Sequence, residues 1–237
     1  MSIIQLRAAL KKKASVPKAR VMASFFKTGP GQYAAGDVFI GVPVPDQRAI
    51  ARQCTALVFK DIGVLLKSGV HEERLTALLI LVGQMKGAAA ARKERIAAFY
   101  LKNLAHVNNW DLVDQSAYQI LGAHLYGKKE AAAFLLKMAR SRELWERRVA
   151  MVATFYFIKN KSAQEALAVA EVLLKDDHDL MHKAVGWMLR EVGKRVSQDI
   201  LEKFLLRHYK DLSRTTLRYA IERFPEAKRK IILRHLG

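Results

Sequence analysis

One amphipathic segment, residues 179–194 (DLMHKAVGWMLREVGK), indicates how the chain folds. Apolar side chains recur along one side of it at the spacing of an α-helix: Met181, Ala184, Val185, Met188, Leu189 and Val192. The other side carries Lys183, Arg190 and Glu191, with Trp187 among them. This pattern predicts a helix that buries one face. Trp187 either stacks on a base, a sugar or a partner molecule, or packs beneath a neighbouring repeat.

Basic residues recur at a nearly constant interval on both sides of this helix. Arg148, Lys183 and Arg218 are 35 residues apart, and Arg74 lies 74 residues before Arg148, or two repeats of about 37 residues. Chance recurrence of abundant Lys and Arg is the alternative. A helix-pair repeat of this length predicts an all-α fold, an α-solenoid of antiparallel helix pairs (HEAT/armadillo-like repeats). We expect a single domain over residues 1–237, with a concave basic face on which these cations and Asp114 approach one another.

Helical periodicity continues along most of the chain, and the sequence contains no convincing pair of strands. After two N-terminal helices, the second beginning near Pro17, the predicted helices are 46–57, 60–67, 71–85, 89–105, 110–125, 128–141, 144–159, 163–175, 179–194, 197–210, 213–224 and 226–236. Helix 144–159 is apolar almost all round, so we expect Arg147 and Arg148 in its first turn to be its route to solvent and to donate to phosphate.

A long irregular stretch, residues 28–45 (TGPGQYAAGDVFIGVPVP), separates the N-terminal helices from the rest. Its glycines and prolines mark turns. A loop of this length in a compact helical chain is usually functional or mobile. It lacks both the Lys-Ser/Thr ending of a P-loop and the GxGxxG spacing, so we do not expect it to bind a nucleotide.

The charge balance points to a polyanionic partner. The 237 residues contain 41 Lys and Arg against 22 Asp and Glu, a net charge of +19, which favours nucleic acid first and an anionic membrane surface second. The sequence has no apolar run of the ~20 residues that cross a bilayer and no secretory signal at its start. Cys54 is the single cysteine. We therefore expect a soluble cytoplasmic protein without a disulfide or a cysteine-based metal site.

Other chemistry-bearing residues give weaker signals. His178 and His182 are four residues apart and could bind a metal, but no third ligand has matching spacing. Neither a Ser-His-Asp nor a Cys-His constellation stands out. We therefore expect no metal and no cofactor.

Residues 108–114 (NNWDLVD) predict the start of a helix capped by Asn108 or Asn109. Asp111 and Asp114 then lie near the positive end of the helix dipole, which favours their ionised forms. Trp110 and Asp114 are four residues apart and share a face of the helix. The pair is either a core tryptophan beside a capping acid or part of a functional site, and the other segments favour the site.

Three segments taken together resemble the AlkD-like DNA alkylation repair family of HEAT-like DNA glycosylases: residues 109–114 (NWDLVD), 145–150 (WERRVA) and 183–191 (KAVGWMLRE). The resemblance extends to FIGV at 39–42 and PDQR at 45–48, so it covers nearly the whole chain. It implies that Asp114 is the catalytic carboxylate, that Trp110 and Trp187 are active-site indoles, and that Arg148 binds the DNA backbone. Pro43 stands where the family can have a polar residue, so any DNA contact from that side chain is absent.

The resemblance implies a base excision repair enzyme that hydrolyses the N-glycosidic bond of alkylated, positively charged purines (3-methyladenine, 7-methylguanine) in double-stranded DNA, without base flipping. Asp114 would stabilise the sugar cation, and concave-face cations would hold phosphates: Arg148, Lys183, Arg190 and Arg218. We expect a monomer associated with the nucleoid. The alternatives are a catalytically silent HEAT-like module that binds DNA structures or protein partners, and a protein-binding scaffold with incidental charge.

Overall fold

A computed structural model describes residues 1–235, and α-helices account for most of them. The helices are α1 (Ile3–Lys13), α2 (Val16–Ser24), α3 (Val44–Gln53), α4 (Phe59–Leu66), α5 (His71–Met85), α6 (Ala90–Lys102), α7 (Trp110–Ala117), α8 (Ala123–Leu125), α9 (Ala131–Ala139), α10 (Leu144–Ala153), α11 (Phe155–Lys159), α12 (Gln164–Leu173), α13 (Asp179–Arg195), α14 (Gln198–His208), α15 (Arg214–Ala220) and α16 (Glu226–His235). A π-helical turn, Tyr118–Gly122, joins α7 to α8. Within residues 1–235 the only β pairing is an isolated bridge between Val38 and Val70. The all-α prediction is confirmed.

Several predicted helices differ from those observed. Predicted helix 46–57 is observed as Val44–Gln53 and predicted helix 213–224 as Arg214–Ala220, and predicted helix 110–125 is interrupted by the π-helical turn. Predicted helix 89–105 ends at Lys102 and is followed by a 3₁₀ turn, Leu104–His106. Predicted helix 144–159 breaks at Thr154, because its hydroxyl donates to the carbonyl of Met151 at 2.6 Å and competes with the helical bond. Predicted helix 226–236 is observed from Glu226 to His235, and position 236 lies outside the described residues.

Residue contacts divide the chain into two compact units, Met1–Ile120 and Leu121–Gly237. In the first unit α5 is the central helix, since it packs against α1, α3, α4, α6 and α7. Most of its residues are buried, including the polar His71, Glu72 and Arg74 in its first turn. The single domain proposed from the sequence stays a prediction.

In the second unit the 35-residue spacing corresponds to a row of helices. α10, α13 and α15 begin at Leu144, Asp179 and Arg214, and α13 packs against both of the others. Gly186 allows the close approach of α13 and α15, because a Cβ there would lie 2.5 Å from the Cβ of Tyr219. The helices of one repeat therefore bury their apolar faces against the next. No helix among residues 1–235 has the length and apolar character of a membrane span.

Candidate functional site

The first turn of α7 carries the predicted acid and indole. Asn109 is the N-cap, and its side-chain oxygen accepts a hydrogen bond from the amide of Trp110 at 2.8 Å. The alternative cap, Asn108, instead accepts from Nη1 of Arg74 at 2.6 Å. Trp110 and Asp114 are both half-buried, one helical turn apart. Neither side chain is fully buried, so the indole and the carboxylate that are predicted to act together remain partly accessible.

A column of rings fixes the indole of Trp110. The Trp110 ring stacks on Phe26 with a centroid distance of 5.0 Å and an interplanar angle of 16°. Phe26 stacks on Phe39 at 4.8 Å, and Phe39 stacks on the imidazole of His71 at 4.7 Å. Since Phe26 follows α2 and Phe39 lies in the loop at residues 28–43, this column ties both segments to the start of α7.

His71, at the end of this column, lies between two carboxylates. Its Nδ1 is 3.1 Å from Oδ2 of Asp37, in the loop, and its Nε2 is 2.7 Å from Oδ2 of Asp111, on α7. The His71 side chain is 1% exposed. Asp37 also accepts from Nη2 of Arg74 at 2.5 Å and from the side-chain Nδ2 of Asn109 at 3.1 Å. We call these five residues the His71 network.

The pKa values in the network follow from these contacts. Burial alone would lower the pKa of His71, but the hydrogen bonds to Asp111 and then to Asp37 outweigh it and raise the pKa from 6.5 to about 9. Burial alone would raise the pKa of Asp37, but the bond to His71 and the charge of Arg74 lower it below its usual range. His71 is therefore an imidazolium, and Asp37 a carboxylate, at neutral pH.

The loop is also held by the next residue of α5. The Glu72 carboxylate, fully buried, accepts from the amides of Ile40 at 3.0 Å, Gly41 at 2.7 Å and Val42 at 3.3 Å. Three backbone donors compensate the buried charge. Gly41 has φ +79° and passes so close to α2 that a Cβ would lie 2.1 Å from the carbonyl oxygen of Ser15. The FIGV segment is thus a fixed element rather than a mobile loop.

Asp114 faces a polar and partly buried environment. Burial raises the pKa of Tyr100, and the negative charge of Asp114 raises it further, which places the carboxylate near this fully buried phenol. The Tyr100 hydroxyl lies 3.0 Å from that of Ser116, which donates to the carbonyl of Leu112 at 2.6 Å. Arg48 of α3 donates to the side-chain oxygen of Gln115. The second turn of α7, which carries Asp114, therefore contacts the phenol of Tyr100 and the guanidinium of Arg48.

The second unit holds the other indole. Trp187 of α13 is half-buried, and its ring centroid is 5.9 Å from that of Phe155. The guanidinium of Arg195 lies over the same Phe155 ring, 5.2 Å from its centroid. The observed neighbour of Trp187 is thus the aromatic ring of Phe155. The half-exposed indole still offers a surface for stacking.

The predicted phosphate-binding residues differ in exposure. Arg218 is exposed, and Lys183 is 41% exposed and pairs with Asp179 at 2.7 Å. Arg190 is 18% exposed and forms ion pairs with Glu222 and, at 3.6 Å, with Glu191. The route to solvent predicted for Arg148 is wrong: its side chain is 4% exposed and donates to the carbonyl of Leu180 at 2.5 Å.

Three other predictions are revised in the same region. Arg147 forms an ion pair with Asp176 at 2.6 Å rather than standing free in solvent. Glu191, predicted on the polar face of α13, is buried and bonded to Arg195 at 2.6 Å. His178 and His182 have local roles: His178 caps α13 through the amide of Leu180, and His182 bonds to the carbonyl of Asp176.

Trp110 and Asp114 belong to the first compact unit, whereas Arg148, Lys183 and Trp187 belong to the second. Each group is positioned within its own unit as described above. Their approach along one concave face, together with the roles of Arg190 and Arg218, stays a prediction.

Sequence reasoning missed the His71 network and the Glu72 anchor. A local signal was present, since His71-Glu72-Glu73-Arg74 is a dense run of charge at the start of an otherwise apolar helix. The network's partners come from distant parts of the chain, however, and Asp37 stood in a loop without periodicity.

The sequence matches one protein family, and the fold is similar to two solved structures. A family model described as DNA alkylation repair enzyme matches residues 6–224, whereas no curated protein matches the sequence. A structure described as a predicted DNA alkylation repair enzyme from Enterococcus faecalis has a TM-score of 0.69 at 15% identity, covering 90% of this chain and 98% of that one. AlkD2 from Streptococcus mutans has a TM-score of 0.56 at 19% identity, covering 95% and 100%. These likenesses confirm the HEAT-like helical fold.

Proposed function

The chain belongs to the DNA alkylation repair enzyme family, and from this premise we propose that it is a DNA N-glycosylase. Its substrates would be alkylated, positively charged purines such as 3-methyladenine and 7-methylguanine in duplex DNA. The observation that carries the proposal is the start of α7, where a capped helix presents Asp114 beside an indole held in place by stacking. The excess of cations, a net charge of +19, suits a DNA partner.

The reaction needs little from a general acid. An N3- or N7-alkylated purine carries a formal positive charge, so the bond to C1′ breaks with its electron pair leaving on the base, which departs neutral. The sugar becomes an oxocarbenium-like cation, water adds to C1′, and a proton is lost. A carboxylate held beside the sugar stabilises that developing charge. We assign this role, and the positioning of the water, to Asp114.

The indoles would contact the deoxyribose. One face of Trp110 is already covered by Phe26, so only the other face and the edge can meet DNA. That arrangement suits contact with a sugar better than the aromatic sandwich that holds a flipped base. It supports excision without base flipping, with Trp187 contributing the second indole.

The exposed cations are the strongest candidates for phosphate contacts. Arg218 is exposed, and Lys183 is partly exposed although it pairs with Asp179, so we assign both to the DNA backbone. Arg190 would reach a phosphate by exchanging Glu222 for it. Arg148 would act from a buried position, where its bond to Leu180 holds the start of α13.

The test compares Asp114→Asn with Glu94→Gln, which removes the same charge from an exposed site on α6. Release of 7-methylguanine from methylated duplex DNA is measured under single-turnover conditions, and affinity is measured on the same duplex. We expect Asp114→Asn to slow release by roughly 10²-fold or more while changing affinity little, and Glu94→Gln to change neither.

Equal losses of rate and affinity would contradict the role of Asp114. A wild-type protein that retains duplex DNA but releases no base would instead support a silent DNA-binding module.

A further inference from the structure

We propose that His71 is a positioning residue for Trp110, acting as a cationic bridge between Asp37 of the loop and Asp111 of α7. This inference rests on the proposed function, because it assigns a role to Trp110 in that reaction. It concerns a buried residue that does not belong to the site predicted from the sequence.

The geometry favours an imidazolium at His71, with a proton on each ring nitrogen, although Nδ1 also lies 3.4 Å from Nη2 of Arg74. Each nitrogen lies within hydrogen-bond distance of a different carboxylate, 3.1 Å to Asp37 and 2.7 Å to Asp111. An ionised carboxylate only accepts, and a neutral imidazole has only one N–H to donate. The imidazolium satisfies both acceptors, and it compensates their charge around a side chain that is 1% exposed.

Three connections run from His71 to Trp110. Asp111, bonded to Nε2, directly follows Trp110 in the chain and also accepts from the amide of Leu112 at 2.8 Å. Asp37, bonded to Nδ1, accepts from Asn109, the residue directly before Trp110. The residues on both sides of the indole are therefore bound to one bridge.

The third connection is through the rings. The imidazole supports Phe39, Phe39 supports Phe26, and Phe26 covers one face of Trp110. Movement of His71 would consequently change the backbone on each side of the indole and the surface beneath it. A side chain that contacted only one of these groups would not change both the backbone and the stacked ring of Trp110.

Three charged side chains lie around His71. Asp37 from the loop and Asp111 from α7 are the anions, and Arg74 of α5 is the cation, itself bound to Asp37 and Asn108. The neighbouring Glu72 turns to the loop amides. When His71 loses its proton to solvent, its charge no longer compensates the two carboxylates. If Nδ1 is the nitrogen that loses the proton, its bond to Asp37 is lost, and it can accept from Nη2 of Arg74, 3.4 Å away.

The first experiment measures the indole directly, by ¹⁹F NMR of protein that contains 5-fluorotryptophan at its three tryptophans. The Trp110 resonance is assigned from its loss in Trp110→Phe. In wild type without DNA we expect this resonance to shift with a midpoint near pH 9, the raised pKa of His71, and the Trp145 and Trp187 resonances not to follow that midpoint. A Trp110 resonance that stays constant between pH 8 and 10 overturns the proposal, and the titration itself is followed in wild type.

The second experiment compares His71→Gln with His106→Gln, a partly exposed histidine of the same unit whose pKa is lowered chiefly by burial. In His71→Gln the alkaline shift of the Trp110 resonance should disappear. Single-turnover release of 7-methylguanine at pH 7.5 should fall by roughly 10- to 100-fold, since small displacements of a positioning group have that effect, with DNA affinity within a few-fold of wild type. His106→Gln should behave as wild type.

Equal losses of affinity and release in His71→Gln would show a merely structural role and would overturn the inference. A wild-type protein that releases no base refutes the proposed function, while the pH response of the Trp110 resonance still decides whether His71 positions the indole.

Discussion

Raising the pH should weaken the first unit through a single proton on His71. The pKa of this residue is 6.5 as a free side chain and about 9 in the folded protein. The folded state therefore binds the proton more tightly, and its contribution to stability is fully present below pH 6.5. It is lost as the pH rises through about 9, because the unfolded chain has by then already released the proton.

The size of the loss follows from the pKa difference. Each pKa unit corresponds to about 1.4 kcal/mol, so a rise from 6.5 to about 9 corresponds to about 3 kcal/mol between pH 6 and pH 10. The side chain is 1% exposed, so solvent screens its partners little. A loss of this size should lower the unfolding temperature by roughly 10 °C in a protein of this length.

The assay is urea unfolding at several pH values, followed by the ¹⁹F resonance of Trp110, which reports on the first unit. The stability of wild type relative to His71→Gln should fall by about 3 kcal/mol from pH 6 to pH 10. His106→Gln provides the control: its folded-state pKa is lowered, so its contribution changes only on the acid side of pH 7. A constant difference between wild type and His71→Gln above pH 6.5 would refute the reasoning.

Further predictions concern the loop, the core and the DNA. Gly41→Ala should cost roughly 2–4 kcal/mol in urea unfolding, because its φ is +79° and the Cβ would meet Ser15; Gly31→Ala, at φ +71° with open space, should cost only about 1 kcal/mol. Tyr100→Phe should cost about 1–2 kcal/mol by leaving Ser116 without this partner, and an unchanged stability would contradict that. Duplex-DNA binding measured by anisotropy should weaken steeply with salt, and a flat response would contradict a phosphate-binding surface.

Sequence patterns predicted correctly the features that depend only on neighbouring residues in the chain. Helix 71–85 was predicted with the observed boundaries, because its apolar residues and the change of composition at both ends depend only on neighbouring residues. Side-chain chemistry within one turn predicted a cap at Asn108 or Asn109, and Asn109 is the cap observed. The segments that suggested the DNA alkylation repair family were likewise read from short stretches, and the family was confirmed.

Other features depend on contacts that periodicity does not encode. Asp37 and His71 are 34 residues apart, and Asp37 stands in a stretch without a repeating pattern. Arg148 was placed correctly at the start of its helix, but its access to solvent depends on what packs around it, including the carbonyl of Leu180 32 residues later. A helical pattern gives the direction of a side chain, whereas burial is decided by the neighbouring repeat.

The His71 network also gives a physical reason why α7 can carry two aspartates in its first two turns. Asp111 and Asp114 are three residues apart on one helix, where like charges repel each other. The imidazolium of His71 compensates Asp111 at 2.7 Å, which reduces its repulsion on Asp114. In the proposed reaction the catalytic group must remain ionised beside DNA phosphates, themselves anionic. Removing the proton from His71 would therefore act on Asp114 twice, through the position of α7 and through the charge of its neighbour.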